Sequence, residues 1–273
     1  MINHTPPSAG FFYCLELWGT PKLTAKQSTK RMSRRTIAIA AALSVLALGS
    51  QLIAGCTNTL ATQYVDQGIE KYEAGNYQEA IDDYTKAIQI NPEIASAYYN
   101  RGFAKYDLSD YQGAVDDYTK AIEIDPENAS AYNNRGSAKD NLGNYQGAIA
   151  DYTKAVEIDP EISSAYFNRG IAKDNLGNYQ GAIDDYTKAI EIDSENASAY
   201  NNRGTNRGKL KDYQEAIADL NKAIEIDPEY ASAYLNRGLA KGLTNDLQGA
   251  CDDWRKAADF GEENAAEWVK EQC

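Results

Sequence analysis

The tripeptide Asn-Arg-Gly begins at residues 100, 134, 168, 202 and 236, a constant interval of 34 residues. No other feature constrains the chain as strongly. A fixed period of that length means one supersecondary unit, copied and stacked, because a single copy cannot bury its own apolar face. The frame extends to six units: 61–94, 95–128, 129–162, 163–196, 197–230 and 231–264. Positions below are counted from the first residue of each unit. Comparing copies within the chain separates positions that the architecture fixes from those left to vary.

Position 8 is glycine in every copy: Gly68, Gly102, Gly136, Gly170, Gly204 and Gly238. Positions 20 and 27 are always alanine, from Ala80 and Ala87 to Ala250 and Ala257. Small residues there let two helices approach closely, and enlarging one would overpack the contact. Tyrosine fills position 4 in all copies, position 17 in five and position 24 in four, which accounts for 15 of the 20 tyrosines. The tyrosine excess is therefore core packing, not a cofactor box. Within each unit the apolar residues fall at helical spacing, as in Ala114, Val115, Tyr118, Ala121 and Ile122. Gly143-Asn144 and Gly177-Asn178 supply turns between two helices. Asp125-Pro126, Asp159-Pro160, Asp227-Pro228 and Asn91-Pro92 end the second helix, since a residue before proline avoids the α region. Ser194 replaces that proline once, which is expected to soften the stop without removing it.

Two charged positions predict a contact. Position 7 is arginine in copies two to six (Arg101, Arg135, Arg169, Arg203, Arg237), on the face that should be buried. A buried cation needs a partner. Position 23 is aspartate in all six copies (Asp83, Asp117, Asp151, Asp185, Asp219, Asp253), and an antiparallel hairpin of this length sets positions 7 and 23 opposite each other. The expectation is an Arg–Asp bridge inside each unit, with Gln67 relaxing the first. Asp116 with Lys120 and Asp184 with Lys188 are expected to form solvated i,i+4 pairs.

Over residues 61–264 this pattern resembles the tetratricopeptide repeat, a 34-residue helix–turn–helix unit. It departs from the family at three places: the family's tryptophan is tyrosine here, its first-helix leucine is arginine in copies two to six, and its first-helix tyrosine is lysine or arginine. The resemblance implies an all-α, right-handed superhelical solenoid with a concave wall built from first helices. That wall is an extended binding surface. The family's position 6 faces the groove, and here it holds Asp66, then Asn100, Asn134, Asn168, Asn202 and Asn236. This is similar to the asparagine ladder by which some members hold an extended peptide through its backbone, because an amide both donates and accepts. The alternative is that these asparagines only bond neighbouring repeats. Specificity is expected from positions 5 and 9. Tyr99, Phe103, Phe167 and Ile171 make the groove aromatic and apolar near repeats two and four. Family members that bind a terminal carboxylate use lysines at positions 2 and 5. Position 2 here is Thr62 and then serine, so a neutral or basic extended protein or peptide partner is expected.

The segment before the repeats is read as an address. Residues 1–31 fit no targeting pattern and are taken as a non-native or unstructured extension upstream of a start at Met32. Arg34 and Arg35 then precede an apolar stretch, giving a signal peptide over residues 32–55. Ile53-Ala54-Gly55-Cys56 resembles a bacterial lipobox, in which the Cys56 thiol takes the diacylglyceryl group. Acyl chains there would anchor the protein to the membrane. Thr57 after that cysteine favours the outer membrane, facing the periplasm, and residues 56–60 form a short linker. A plain membrane anchor over residues 37–55 is the alternative.

Charge and residue inventory exclude several functions. Residues 1–55 hold six of the 27 basic and one of the 40 acidic residues, leaving 21 against 39 from Cys56 onward. So acidic a body repels phosphate backbones, and no nucleic-acid partner is expected. The only histidine is His4, which removes histidine acid–base catalysis and multi-histidine metal sites from the repeats. Asp140-Asn141-Leu142-Gly143-Asn144 has a superficial likeness to a calcium loop, but the twelve-residue spacing and bidentate glutamate are absent. No enzyme activity, metal, cofactor or small-molecule substrate is expected. Past 264, residues 265–273 are read as a solvating cap helix, its polar run starting at Glu262. A cap folded back antiparallel brings Cys251 and Cys273 together, and an oxidising envelope would join them; the alternative is two separate thiols. The whole reads as a lipid-anchored, protein-binding adaptor of the bacterial cell envelope. The alternative is a regulatory or substrate-delivering subunit of an envelope enzyme.

Overall fold

The computed structural model describes residues 58–273; the expected extension, signal peptide and lipidated Cys56 lie outside the described residues. Thirteen helices follow one another among the described residues, with no strand. The first helices of the six repeats are α1 (58–73), α3 (Ala95–Asp107), α5 (Ala129–Asn141), α7 (Ser163–Asn175), α9 (Ala197–Lys209) and α11 (Ala231–Leu243). The second helices are α2 (Tyr77–Ile90), α4 (Tyr111–Ile124), α6 (Tyr145–Ile158), α8 (Tyr179–Ile192), α10 (Tyr213–Ile226) and α12 (Leu247–Asp259). A last helix, α13 (Glu263–Gln272), packs on α12. Helix already occupies residues 58–60, expected as linker, and the cap starts at Glu263, ahead of 265.

Local chemistry sets these limits. Gly143 and Gly177 turn the chain at φ +76°, a conformation that costs a residue with a Cβ. Asn144 and Asn178 then cap the second helix, their Oδ1 atoms accepting from Gly147 and Gly181 amides at 3.0 and 3.1 Å. Each second helix of repeats two to five ends at an isoleucine followed by aspartate, whose amide donates to the carbonyl of the position-27 alanine. Repeat four follows this rule without its proline: Asp193 donates to the Ala189 carbonyl at 2.8 Å and α8 is no longer than its counterparts. The aspartate cap sets the stop, so Ser194 does not soften it.

Within a repeat the glycine at position 8 lies against the ring at position 24. A Cβ on Gly136 would come within 2.7 Å of Tyr152 Cε1, and one on Gly170 within 2.6 Å of Tyr186 Cε1. Between the two helices sits the arginine–aspartate contact. Arg135 donates to Asp151 through Nε (2.8 Å) and Nη2 (2.7 Å), a two-point fork that Arg101, Arg169, Arg203 and Arg237 repeat. Two further groups complete it. Lys139, one turn on at position 11, reaches the same carboxylate at 2.7 Å, and Tyr132 at position 4 lies under the guanidinium at 5.4 Å. The remaining Nη1 donates to Thr119 of the preceding repeat at 3.1 Å. One arginine therefore ties its own two helices together and its repeat to the one before. In repeat one Gln67 makes no such bridge, and Lys71 (2.5 Å) and Lys86 (2.6 Å) hold Asp83 instead. Burial alone would raise the Asp83 carboxyl, but these two hydrogen bonds outweigh it and hold it below its usual value.

The surface lysines do not choose the expected partners. Lys120 pairs with Glu123 and Lys188 with Glu191, each at 2.6 Å and three residues ahead. Asp116 and Asp184 accept from Gln112 and Gln180 instead, at 3.0 and 3.1 Å. At the C-terminus α13 folds back, Trp268 meets Trp254 edge-on at 5.6 Å, and Cys273 is bonded to the buried Cys251 with Cα atoms 5.8 Å apart.

Candidate functional site: the inner wall

Successive first helices touch across repeats (α3 with α5, α5 with α7, α9 with α11), whereas successive second helices do not approach comparably. The array therefore curves with its first helices inside. Side-chain hydrogen bonds between residues 35 apart mark the face they present. Asn134 donates to Tyr99 Oη at 3.0 Å, Asn236 to Asn201 Oδ1 at 3.0 Å and Asn141 to Tyr106 Oη at 2.8 Å, while Tyr72 donates to Asp107. Positions 5, 6, 12 and 13 thus lie on one continuous inner wall. Position 9 falls between them by helical spacing. Its side chains project outward from the core: Ile69, Phe103 and Leu239 are each more than a third exposed.

The asparagines of position 6 are half-buried on this wall. Their hydrogen bonding depends on the residue 35 positions earlier. Where that residue is polar, the amide is occupied: Asn134 by Tyr99, Asn168 by Asn133 at 3.5 Å, Asn236 by Asn201. Val65 and Phe167 precede Asn100 and Asn202 in that register and offer no polar atom. Asn202 accepts from its neighbour Asn201 at 3.1 Å, and the Asn100 side chain makes no hydrogen bond among the described residues. The ladder is therefore partly spent on joining repeats, with Asn100 its freest rung.

The apolar residues of repeats two and four each pack against a neighbouring ring or side chain. Phe103 packs with a tilted ring against Tyr72 at 5.4 Å, as Tyr99 does against Tyr118 and Phe167 against Tyr186, each at 5.8 Å, with Ile171 one turn past Phe167. Burial raises the Tyr99 hydroxyl, and the bond from Asn134 pulls it only part of the way back. The lower track of the wall, at positions 12 and 13, was not singled out from the sequence. It carries Tyr72, Tyr106, Asp140 and Asp174 at position 12, with Lys209 bridging back to Asp174 at 2.6 Å. These residues sit one helical turn beyond position 9 and two beyond position 5, and that spacing was the available signal. Among the described residues no cluster of histidine, cysteine and acidic side chains could hold a metal ion, and no helix is long and apolar enough to cross a membrane.

Antiparallel helix pairs stacked in one direction, with an open wall along the inside, define an α-solenoid scaffold. The family model described as tetratricopeptide repeat matches residues 95–128, 129–162 and 163–196, and the one described as TPR repeat matches 68–109 and 209–244. Together they cover more than half of the chain, which belongs to the tetratricopeptide repeat family. Such repeats are protein-interaction scaffolds that bind protein or peptide partners and are typically not enzymes. Solved structures agree on the fold. The chain is 28% identical to MamA, with a TM-score of 0.56 over 60% of this chain and 96% of that one. YrrB, described as a TPR protein with an unusual peptide-binding site, is 24% identical with a TM-score of 0.61, over 69% and 97% of the two chains. Pseudomonas aeruginosa PilF is 19% identical with a TM-score of 0.68, over 79% and 99%. No curated protein matches the chain.

Proposed function

We propose that the protein is a lipid-anchored adaptor of the bacterial cell envelope that holds an extended segment of a partner protein along its inner wall. The wall itself carries the reading. It combines exposed apolar side chains at position 9, partly occupied amides at position 6 and a free rung at Asn100, so it can take side chains and backbone together. The acidic body and the absence of lysine at position 2 favour a neutral or basic segment over a terminal carboxylate. The envelope address rests on the basic flank, the apolar stretch and Ile53-Ala54-Gly55-Cys56 in the sequence, with Cys56 carrying the acyl chains.

Photo-crosslinking in living cells from position 167, with Phe167 replaced by a benzophenone amino acid, tests the groove. The expected result is a discrete envelope protein whose adduct is lost in Asn100→Ala plus Asn168→Ala. Adducts spread over many proteins and insensitive to those changes would sink the inner-wall reading. The anchor is tested separately. Labelling with an alkyne fatty acid should mark the wild-type chain and not Cys56→Ala; equal labelling of both, or of neither, removes the lipoprotein reading. A stoichiometric enzyme co-purifying with the chain would move the function toward a substrate-delivering subunit.

A further inference from the structure

The charge on the inner wall is lopsided. Positions 6, 12 and 13 carry Asp66, Glu73, Asp107, Asp140 and Asp174 against one cation, Lys209. Lys209 is already engaged with Asp174, and Asp107 accepts from the Tyr72 hydroxyl. Asp140 has no counterpart. The register that joins Tyr72 to Asp107, Tyr106 to Asn141 and Asp174 to Lys209 sets Asp140 across from Asn175, and no bond forms there. Its Oδ1 is shut off from solvent and receives no hydrogen bond among the described residues. The residue as a whole is only half-buried and Oδ2 is not shut off, so a ligand on the wall meets the carboxylate at Oδ2, and a cationic donor there offsets part of the cost of holding the charge away from water.

The surroundings say which donor. Asp140 lies close enough to Tyr106 and Tyr152 to act on their hydroxyls electrostatically. Tyr106 is fixed beside it by the hydrogen bond from the adjacent Asn141 at 2.8 Å. An open carboxylate on a wall short of cations is the chemistry that recognises a guanidinium or ammonium group, through charge-assisted hydrogen bonds. Along the array, position 12 runs Tyr72, Tyr106, Asp140, Asp174, Gly208, Gly242, so aromatic steps lead into acidic ones and then into open wall.

We propose that Asp140 is the charge-reading residue of the groove, accepting an arginine or lysine from an extended basic segment bound along the inner wall. This deepens the adaptor reading above and rests on it. The geometry also fixes a spacing. Neighbouring packed helices lie about 8–10 Å apart, and an extended chain advances about 3.3 Å per residue. A basic residue on Asp140 therefore comes about three positions from an apolar residue on Phe103.

The test uses the full chain and a random dodecamer display library, with selected peptides then synthesised carrying a fluorescent label. For each peptide the arginine is also replaced by citrulline, its neutral isostere, and both forms are titrated against wild type and Asp140→Asn. The expected result is enrichment of a basic residue about three positions from an apolar one. Citrulline or Asp140→Asn alone should each cost about tenfold in affinity, and the two together no more than either, because they remove the same contact. Asp140→Lys should invert the preference toward a glutamate at that place. Melting curves of the variants establish that the fold is intact. Peptides that crosslink to Phe103 or Phe167 but show no basic residue, or bind Asp140→Asn unchanged, overturn the role of Asp140 and leave the groove standing. If the library yields no peptide that reaches the inner wall, the groove reading fails and this inference fails with it.

Discussion

Each first helix has two working faces, and they obey different rules. The face toward the second helix is nearly identical from copy to copy: tyrosine at position 4, arginine at 7, glycine at 8, lysine or arginine at 11. The inner face keeps its asparagine at position 6 from copy two onward but changes at positions 5 and 9 at almost every step, from Tyr99 and Phe103 to Asn133 and Ser137 to Phe167 and Ile171. The difference is energetic. The first face holds a guanidinium, a second cation and a buried carboxylate in one network, where a change to one member strands the others. The second face makes isolated contacts with solvent beside them, so its residues change without that penalty. Function has room to vary where the network is not.

The comparison breaks most visibly at the carboxylate. Asp219 is buried and accepts from Arg203 at 2.7 Å and from Arg207 at 2.7 Å. Asp219→Ala leaves two guanidiniums facing each other, and the expected loss is about 3 kcal/mol, toward the low end for a broken buried pair because both arginines keep some water. Hydrogen exchange should rise first in α9 and α10, since each repeat contacts only its neighbours. Asn100→Ala on the inner wall is expected to stay within about 0.5 kcal/mol. Equal melting of Asp219→Ala and wild type would show that the network is decoration.

The glycine beside it gives the next largest effect. Gly136→Ala drives a methyl to within 2.7 Å of Tyr152 Cε1, and the ring has Ala148 and Ala172 packed about it. Overpacking of this kind costs about 2 kcal/mol. A thermal midpoint unchanged by the substitution would mean that the ring gives way freely. A smaller effect, of opposite sign, is expected at Asn206. This residue sits at position 10, where Ala104, Ala138, Ala172 and Ala240 stand in other copies, and it is fully buried with neither amide atom bonded. Asn206→Ala removes an orphaned polar group from a site shaped for alanine and should stabilise repeat five by about 1 kcal/mol. Denaturant unfolding of the pair decides it, and a destabilised variant would mean that the amide has a partner in solution.

Much of this was legible beforehand, for a physical reason. A period repeated six times forces stacking, and the pairing of arginine 7 with aspartate 23 follows from hairpin length alone, as Arg135 and Asp151 show. The second cation was equally visible, four residues after each arginine, but only the fold shows that Lys139 turns toward the carboxylate and not toward water. The bond from Arg135 to Thr119 depends on how one repeat sits on the next, which no single hairpin contains. Lys120 had acidic neighbours on both sides and takes Glu123, the same choice that Lys154 and Lys222 make where position 22 is alanine. The asparagine row was read by position and its free rung was not, because whether a rung is free depends on a residue 35 places away, such as Val65 for Asn100.

The smallest effect separates the two faces within a single helix. Gly204 and Gly208 lie one turn apart on α9. At Gly204 a Cβ would meet Leu220 Cγ at 3.0 Å and the Ala216 carbonyl at 3.1 Å, whereas at Gly208, on the inner wall, it would meet nothing within 4 Å. Glycine inside a helix carries a backbone-entropy cost of about 0.5–1 kcal/mol relative to alanine. Gly208→Ala should therefore gain roughly that amount, and Gly204→Ala should lose more than it gains, because the crowding exceeds the entropy. Opposite shifts of the unfolding midpoint are the expected outcome. Destabilisation by both would mean that the inner wall is packed against something in the folded protein, and the groove would have to be placed elsewhere; stabilisation by both would mean that Leu220 yields to the methyl group.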